Sequence, residues 1–297
     1  MSFNHEPEPV RGIFLPIAPG VSRAVANNPS IMTYHGTNTY LIETADGNLL
    51  LDPGPAHDQD HYELIRSTMR ENGAGIIVSH FHSDHFGLAE RLRSDTGLPV
   101  YASAYFAGDA FVPDVALSDG DLVGGLQVLH TPGHASDHLC LARPDGIVFT
   151  ADHVMSWSSS IVRLPDGDMA AYIKQLGRLI ARGDGLYLPG HGPALADPVP
   201  YVQGLLDNRI RRERKILTMV TSQSATASHI SATLYAKSDA RLAWAAERNV
   251  EAHLAKLEAE GYVHMADGQW IATERGFDPH FPSEPDDEAD KGNFDEG

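Results

Sequence analysis

The sequence predicts a mixed α/β fold, strand-rich over residues 1–204, followed by a small helical unit over 205–275 and an acidic tail over 276–297. Three observations predict it. Short apolar runs broken by Gly and Pro alternate with amphipathic stretches up to about residue 200. Beyond Pro198-Val199-Pro200 the chain loses its Gly- and His-rich loops and becomes strongly helical. The last segment holds eight acidic groups against Lys291 alone, a composition that cannot bury enough apolar surface to fold. With 297 residues and 42% hydrophobic content, the chain has material for one large core and one small one.

Each element has its own justification. Residues 12–51 read as short strands ending in Leu49-Leu50-Leu51-Asp52-Pro53-Gly54, a strand running into a tight turn. Leu64, Ile65, Thr68 and Met69 share one face of a helix over 61–71, and Gly75-Ile76-Ile77-Val78 reads as a buried strand. Further strands are predicted over 99–102, 126–130, 138–142 and 146–150, with a helix over 169–182. After residue 204, helices over 209–221, 226–235 and 243–260 precede two short strands joined by Asp267-Gly268, a hairpin signal. Three helices and a hairpin make a winged-helix-like unit.

Composition excludes several classes. No apolar run approaches the roughly 18–20 residues of a membrane span, and the N-terminal stretch has neither the basic nor the apolar region of a secretory signal. A cytoplasmic protein is the expectation. The formal charge of −18 opposes a protein-wide grip on nucleic acid. Cys140 is the one cysteine, so no intramolecular disulfide can form, and its apolar neighbours place it in the core.

The chemistry is concentrated at strand ends. His80-Phe81-His82-Ser83-Asp84-His85 packs three imidazoles and a carboxylate into six residues directly after an apolar strand. Imidazole nitrogen and carboxylate oxygen are the donors zinc prefers, and a loop can converge such closely spaced ligands on one or two ions. The pattern recurs: His134 follows Thr131-Pro132-Gly133, Asp152 follows Phe149-Thr150-Ala151, and His191 sits in Pro189-Gly190-His191-Gly192.

This set, His-x-His-x-Asp-His, then Thr-Pro-Gly-His, then Asp, then Pro-Gly-His-Gly, resembles the metallo-β-lactamase superfamily over residues 12–200. The resemblance implies an αββα sandwich and a binuclear metallohydrolase. It places His80, His82 and His134 on one cation, Asp84, His85 and His191 on a second, and Asp152 between them. Two zinc ions per chain are implied, iron or manganese being compatible with the same donors. Cations so held lower the pKa of a shared water and supply hydroxide near neutral pH, with Asp84 placed to orient it or take its proton. The bridging carboxylate fits glyoxalase II-like thioesterases, phosphodiesterases and nucleases of this fold better than true β-lactamases. The C-terminal unit resembles that of the lactamase-beta-like group, some of whose members are single-strand endoribonucleases.

Around this set, His153, Asp52, Asp137 and Trp157 are candidates for orienting ligands or touching substrate, with His138 beside them. His153 could reach the mouth of the site or simply pack at a strand end. Trp157 has the same two readings. The basic run from Arg209 to Lys215 could track phosphates, but a solvated helix face is the expectation for it, since charged helix surfaces are ordinary. The expected substrate is a small ester or thioester. RNA as substrate and a nucleic-acid-binding regulator with an inactive hydrolase domain are the alternatives, the latter disfavoured because every ligand is present. The C-terminal unit is expected to shape the cleft or to support a homodimer.

Overall fold

Alternation within the strands decides which faces of two β-sheets meet. The computed structural model describes residues 3–106, 112–237 and 239–275. The first sheet runs, in spatial and chain order, β1 (Leu15–Ala18), β2 (Val21–Val25), β3 (Asn38–Thr44), β4 (Gly47–Leu51), β5 (Gly73–Ile77), β6 (Val100–Ser103) and β7 (Val115–Leu117). It is antiparallel as far as β4 and parallel from β4 to β7. The second contains β8 (Leu122–Val123), β9 (Leu126–His130), β10 (Leu139–Ala142), β11 (Ile147–Ala151), β12 (Leu186–Pro189) and β13 (Leu195–Ala196) side by side. Only β11 and β12 pair in parallel there.

Period-two patterning sends Leu49 and Leu51 of β4 to one face and Leu50 to the other. Leu49, Leu51, Tyr40, Ile42 and Ile77 meet Val128, Leu139, Leu141, Phe149 and Leu188 of the opposite sheet, forming the central core. Leu50 and Ile76 face outward onto α1 (Gln59–Asn72) and the helices after the short α2 (Ser83–Phe86), where Leu92 of α3 (Ala89–Thr96) packs beside Tyr62, Ile65 and Met69. Outward-facing Leu129, Cys140, Val148 and Tyr187 are covered by α4 (Met169–Arg182) and α5 (Pro198–Ser222) through Tyr172, Leu176, Leu179, Val202 and Leu205. The order of layers is α, β, β, α.

Capping fixes the helix starts. Asp58 accepts from His61 N and Asp168 from Ala171 N, each in extended backbone conformation at the first turn. Gly183 ends α4 in the left-handed region. The largest departure from expectation is α5, which begins at Pro198 rather than near 209. Pro198 and Pro200 lie in its first turn, where a missing N–H leaves no bond unmade, so prolines that read as a break in fact open the helix. One helix thus runs through residue 204, the expected boundary, into the C-terminal unit.

That unit continues with α6 (Ala227–Leu234), a 3₁₀ turn (Ala240–Leu242), α7 (Ala243–Ala259) and the hairpin β14 (Val263–Ala266) and β15 (Gln269–Ala272). Asp267 and Gly268 both adopt positive φ, the geometry of the expected tight turn. Ile216, Ile230, Val250, Leu254, Leu257 and Trp270 form its own core. Among the described residues no helix is long and apolar enough to cross a membrane. The acidic tail expected to stay disordered lies outside the described residues.

Candidate metal centre

The seven predicted ligands converge at one end of the two sheets, each carried by the segment just past a strand: β5 for the histidine-rich loop, β9 for His134, β11 for Asp152 and β12 for His191. They fall into two groups, His80, His82, His134 and Asp152, and Asp84, His85 and His191, with ligand atoms inside each group within 4.8 Å of one another. His82 Nδ1 lies 2.9 Å from His80 Nε2 and 3.0 Å from His134 Nε2. Asp152 faces both groups: Oδ2 is 3.6 Å from His134 Nε2, while Oδ1 is 3.4 Å from His85 Nε2 and 3.5 Å from His191 Nε2.

The outward ring nitrogens are tied down. His134 Nδ1–H donates to the Ile161 carbonyl at 2.7 Å and His191 Nδ1–H to the Gly36 carbonyl at 3.2 Å. His85 Nδ1–H donates to Asp52 Oδ2 at 2.8 Å, and His80 Nδ1–H to Ser79 Oγ, whose own hydroxyl donates to Asp52. These bonds place a proton on Nδ1 in each ring and leave Nε2 as the atom turned toward the centre.

Two observations test whether a cation fits. His85 Nε2 and Asp152 Oδ1 are buried and lack a hydrogen-bond partner, although such groups are costly to leave unpaired. Burial alone would lower the pKa of His85, yet Asp152, Asp84 and Asp52 drive it well above its ordinary value. His191 likewise is pushed up to about 9 against burial, by Asp152 and Asp84. The carboxylates therefore demand positive charge at this spot. On the other side, burial and neighbouring imidazoles hold His80 well below its ordinary value and His82 at about 4, so those rings are neutral and free to donate electron pairs. The donor set fits divalent cations.

The surrounding candidates divide. Asp52 is buried at the end of β4 with φ of +54°, a strained conformation that aims its carboxylate at Ser79 and His85. Asp137 is fully buried, and the neighbouring His138 accepts at Nε2 from the Asp152 backbone N–H. His153 is wholly buried against Tyr172 and burial lowers its pKa to about 3, so it lies in the interior and not at the mouth. Trp157 packs over Gly192 and against Tyr34, with ring centroids 5.0 Å apart. Arg209 of the basic run points inward and is 6% exposed, a correction to the solvated face expected for it. Sequence reasoning missed Thr37, whose hydroxyl donates to Asp84 Oδ2 at 3.4 Å, and Ser79. It missed the Ile161 and Gly36 carbonyls as well, since a backbone oxygen leaves no residue-type signal.

Residues 32–111 match the metallo-β-lactamase superfamily and residues 226–270 the β-lactamase associated winged helix domain. The chain is 26% identical to a "Beta-lactamase-like protein 2 homolog" of Drosophila melanogaster, over 83% of this chain and 90% of that protein. It is 31% identical to an "Atrochrysone carboxyl ACP thioesterase" of Aspergillus chevalieri, over 68% of this chain and 66% of that one. The structure superposes on a β-lactamase domain protein from Burkholderia ambifaria with a TM-score of 0.76 at 21% identity, covering 89% and 95% of the two chains. It also superposes on TTHA1623, solved in a di-iron-bound form, with a TM-score of 0.51 at 28% identity, covering 59% and 96%.

Proposed function

The chain carries a metallo-β-lactamase superfamily domain joined to a β-lactamase associated winged helix domain, and from that premise we propose that it is a metal-dependent hydrolase of small thioesters. The observation that carries this reading is the pair of ligand groups sharing Asp152. His80, His82 and His134 would hold one divalent cation, Asp84, His85 and His191 a second, and Asp152 would contact both. Cations at these positions supply Lewis acidity to water and to a substrate carbonyl near neutral pH. The di-iron form of TTHA1623 supports two ions and makes iron a candidate beside zinc.

The chain's own groups complete the chemistry. Asp84 is the more exposed of the two carboxylates in the ligand set. Its carboxyl stays well below the ordinary range, since His85 and His191 outweigh the upward effect of burial. It is thus ionised at the solvent side and placed to orient an attacking water, whose proton it could receive once bound cations had lowered that water's own pKa. Thr37 holds Asp84 Oδ2 in place. Trp157 and Tyr34 form an aromatic wall beside Gly192 and His191, suited to the apolar part of an acyl chain. The thioesterase-named relatives favour a thioester over other esters.

A single-stranded RNA substrate is less well supported, because Arg209 is committed to the interior and Arg212 lies over the Tyr235 ring and donates to Leu234 O. The test is hydrolysis of acyl thioesters of graded chain length, beside labelled single-stranded RNA, by zinc- and iron-loaded protein. Metal-dependent thioester cleavage that chelator abolishes is the expected result. RNA cleavage with intact thioesters would overturn the substrate class, and fewer than two ions per chain at saturation would overturn the binuclear centre.

A further inference from the structure

Three consecutive residues, Ser160, Ile161 and Val162, lie between the metal centre and the C-terminal unit and bond to both. Toward the centre, the Ile161 carbonyl accepts from His134 Nδ1 at 2.7 Å, and Ser160 Oγ donates to the Asp152 carbonyl. The segment therefore fixes the ring of one ligand and the backbone of the one shared between the groups. Toward the C-terminal unit, Val162 N donates to Asn249 Oδ1 of α7 at 3.0 Å, and Arg209 Nη2 of α5 donates to the Ser160 carbonyl. Arg209 Nη1 also donates to Asn249 Oδ1 at 3.2 Å, and its guanidinium lies 5.1 Å from the Tyr172 ring centroid. Tyr172 in turn donates to the His153 carbonyl at 3.0 Å.

Both clamp residues are buried, Arg209 at 6% and Asn249 at 8% exposure. Burying a guanidinium and an amide costs free energy that an apolar pair of the same volume would not incur. Arg209 Nη2 and Asn249 Oδ1 bond the main chain of this one segment while Arg209 Nη1 ties the two side chains to each other, which leaves the segment's position little freedom. A ligand's orientation depends on the partner of its second nitrogen, and removing such partners commonly weakens metal binding by about 10- to 100-fold.

We propose that Asn249 and Arg209 are positioning residues of the metal centre, through which the winged helix unit sets segment 160–162 and so the geometry of His134 and Asp152. The inference rests on the reading of His80, His82, His134 and Asp152 as metal ligands.

The experiment measures zinc affinity of the full chain by chelator competition, with the thermal midpoint of each variant recorded alongside. Asn249→Ala is expected to weaken one of two zinc ions by about tenfold or more. Asn249→Asp, which keeps an oxygen acceptor, is expected to restore most of that affinity. Arg209→Lys, which keeps the charge and shortens the reach to Ser160, moves affinity in the same direction as Asn249→Ala and serves if that variant folds poorly. Ile230→Ala empties part of the winged unit's own core and has no bond to segment 160–162, so it lowers the thermal midpoint and leaves both affinities at the wild-type value. Wild-type affinities in Asn249→Ala and Arg209→Lys, or an equal loss in Ile230→Ala, would overturn the inference while the metal reading stands. A wild-type chain that binds no zinc would overturn both.

Discussion

At the scale of single residues, the centre depends on atoms that are present and on one that is absent. An added Cβ at Gly190 would sit 2.5 Å from Asp152 Oδ1 and 2.8 Å from His85 Cε1. Glycine is needed there because backbone and ligands approach more closely than a methyl group allows. Gly190→Ala is accordingly expected to displace Asp152 and to cost about 1–3 kcal/mol of stability together with metal affinity. Unchanged zinc stoichiometry and an unchanged urea midpoint would count against this account. Asp84→Asn keeps the shape of the side chain and removes its basicity, so kcat for thioester hydrolysis should fall by about 10²- to 10⁴-fold. A variant that retains wild-type kcat would remove Asp84 from the proton-accepting role.

At the scale of elements, the residues that meet in the candidate centre could be read from the chain because each proposed ligand lies within a few residues of a strand end. Apolar runs followed by His-x-His-x-Asp-His or Pro-Gly-His show both the strand and the chemical group it delivers. What could not be read involves partners far apart in sequence. Nothing in the residues around Ile161 announces a bond to His134, 27 positions away. The inward turn of Arg209 depends on the packing of α4, α5 and α7, and a basic run read linearly looks like a charged surface. The prolines at 198 and 200 misled for a local reason, since the same residue type ends one helix and begins another.

A pH effect also belongs at this scale, where α1 docks on the first sheet. His61, 3% exposed, donates from Nε2 to Thr39 Oγ1, and burial lowers its pKa to about 4 despite the nearby Asp58 carboxylate. The folded form resists the proton that the unfolded chain takes up near pH 6.5. Stability is therefore whole above that pH and declines as pH falls toward 4, with His61 contributing at most about 3 kcal/mol of the loss. Urea unfolding in chelator at pH 7 and pH 4.5 should show a smaller decline for His61→Gln than for wild type. Equal declines would mean that His61 is protonated in the folded protein.

At the scale of the whole molecule, the winged unit and the sandwich share material and do not merely touch. Helix α5 begins over the second sheet and ends in the winged core, and Ala252 of α7 packs into the same cluster as Tyr172 and Leu176. A chain cut at residue 204 would lose most of α5, including Leu205, and uncover the sheet beneath it. The full chain is expected to unfold in one transition. Fluorescence of Trp244 and Trp270 in a Trp157→Phe variant, both in the C-terminal unit, should coincide with far-UV circular dichroism. Separate midpoints would show two independent folding units.

The one cysteine of the sequence has a practical consequence. Cys140 lies in β10 beneath α4, fully buried, its thiol pushed up to about 12 by burial although Thr131 partly offsets the shift. A thiol in that state is nearly inert to alkylating probes at neutral pH while the fold is closed. The native chain is thus a blank background for spectroscopy: a cysteine introduced on the winged unit and another beside the metal centre can carry a dye pair without first removing the native thiol. The slow labelling of Cys140 itself becomes an internal clock for how often the sandwich opens.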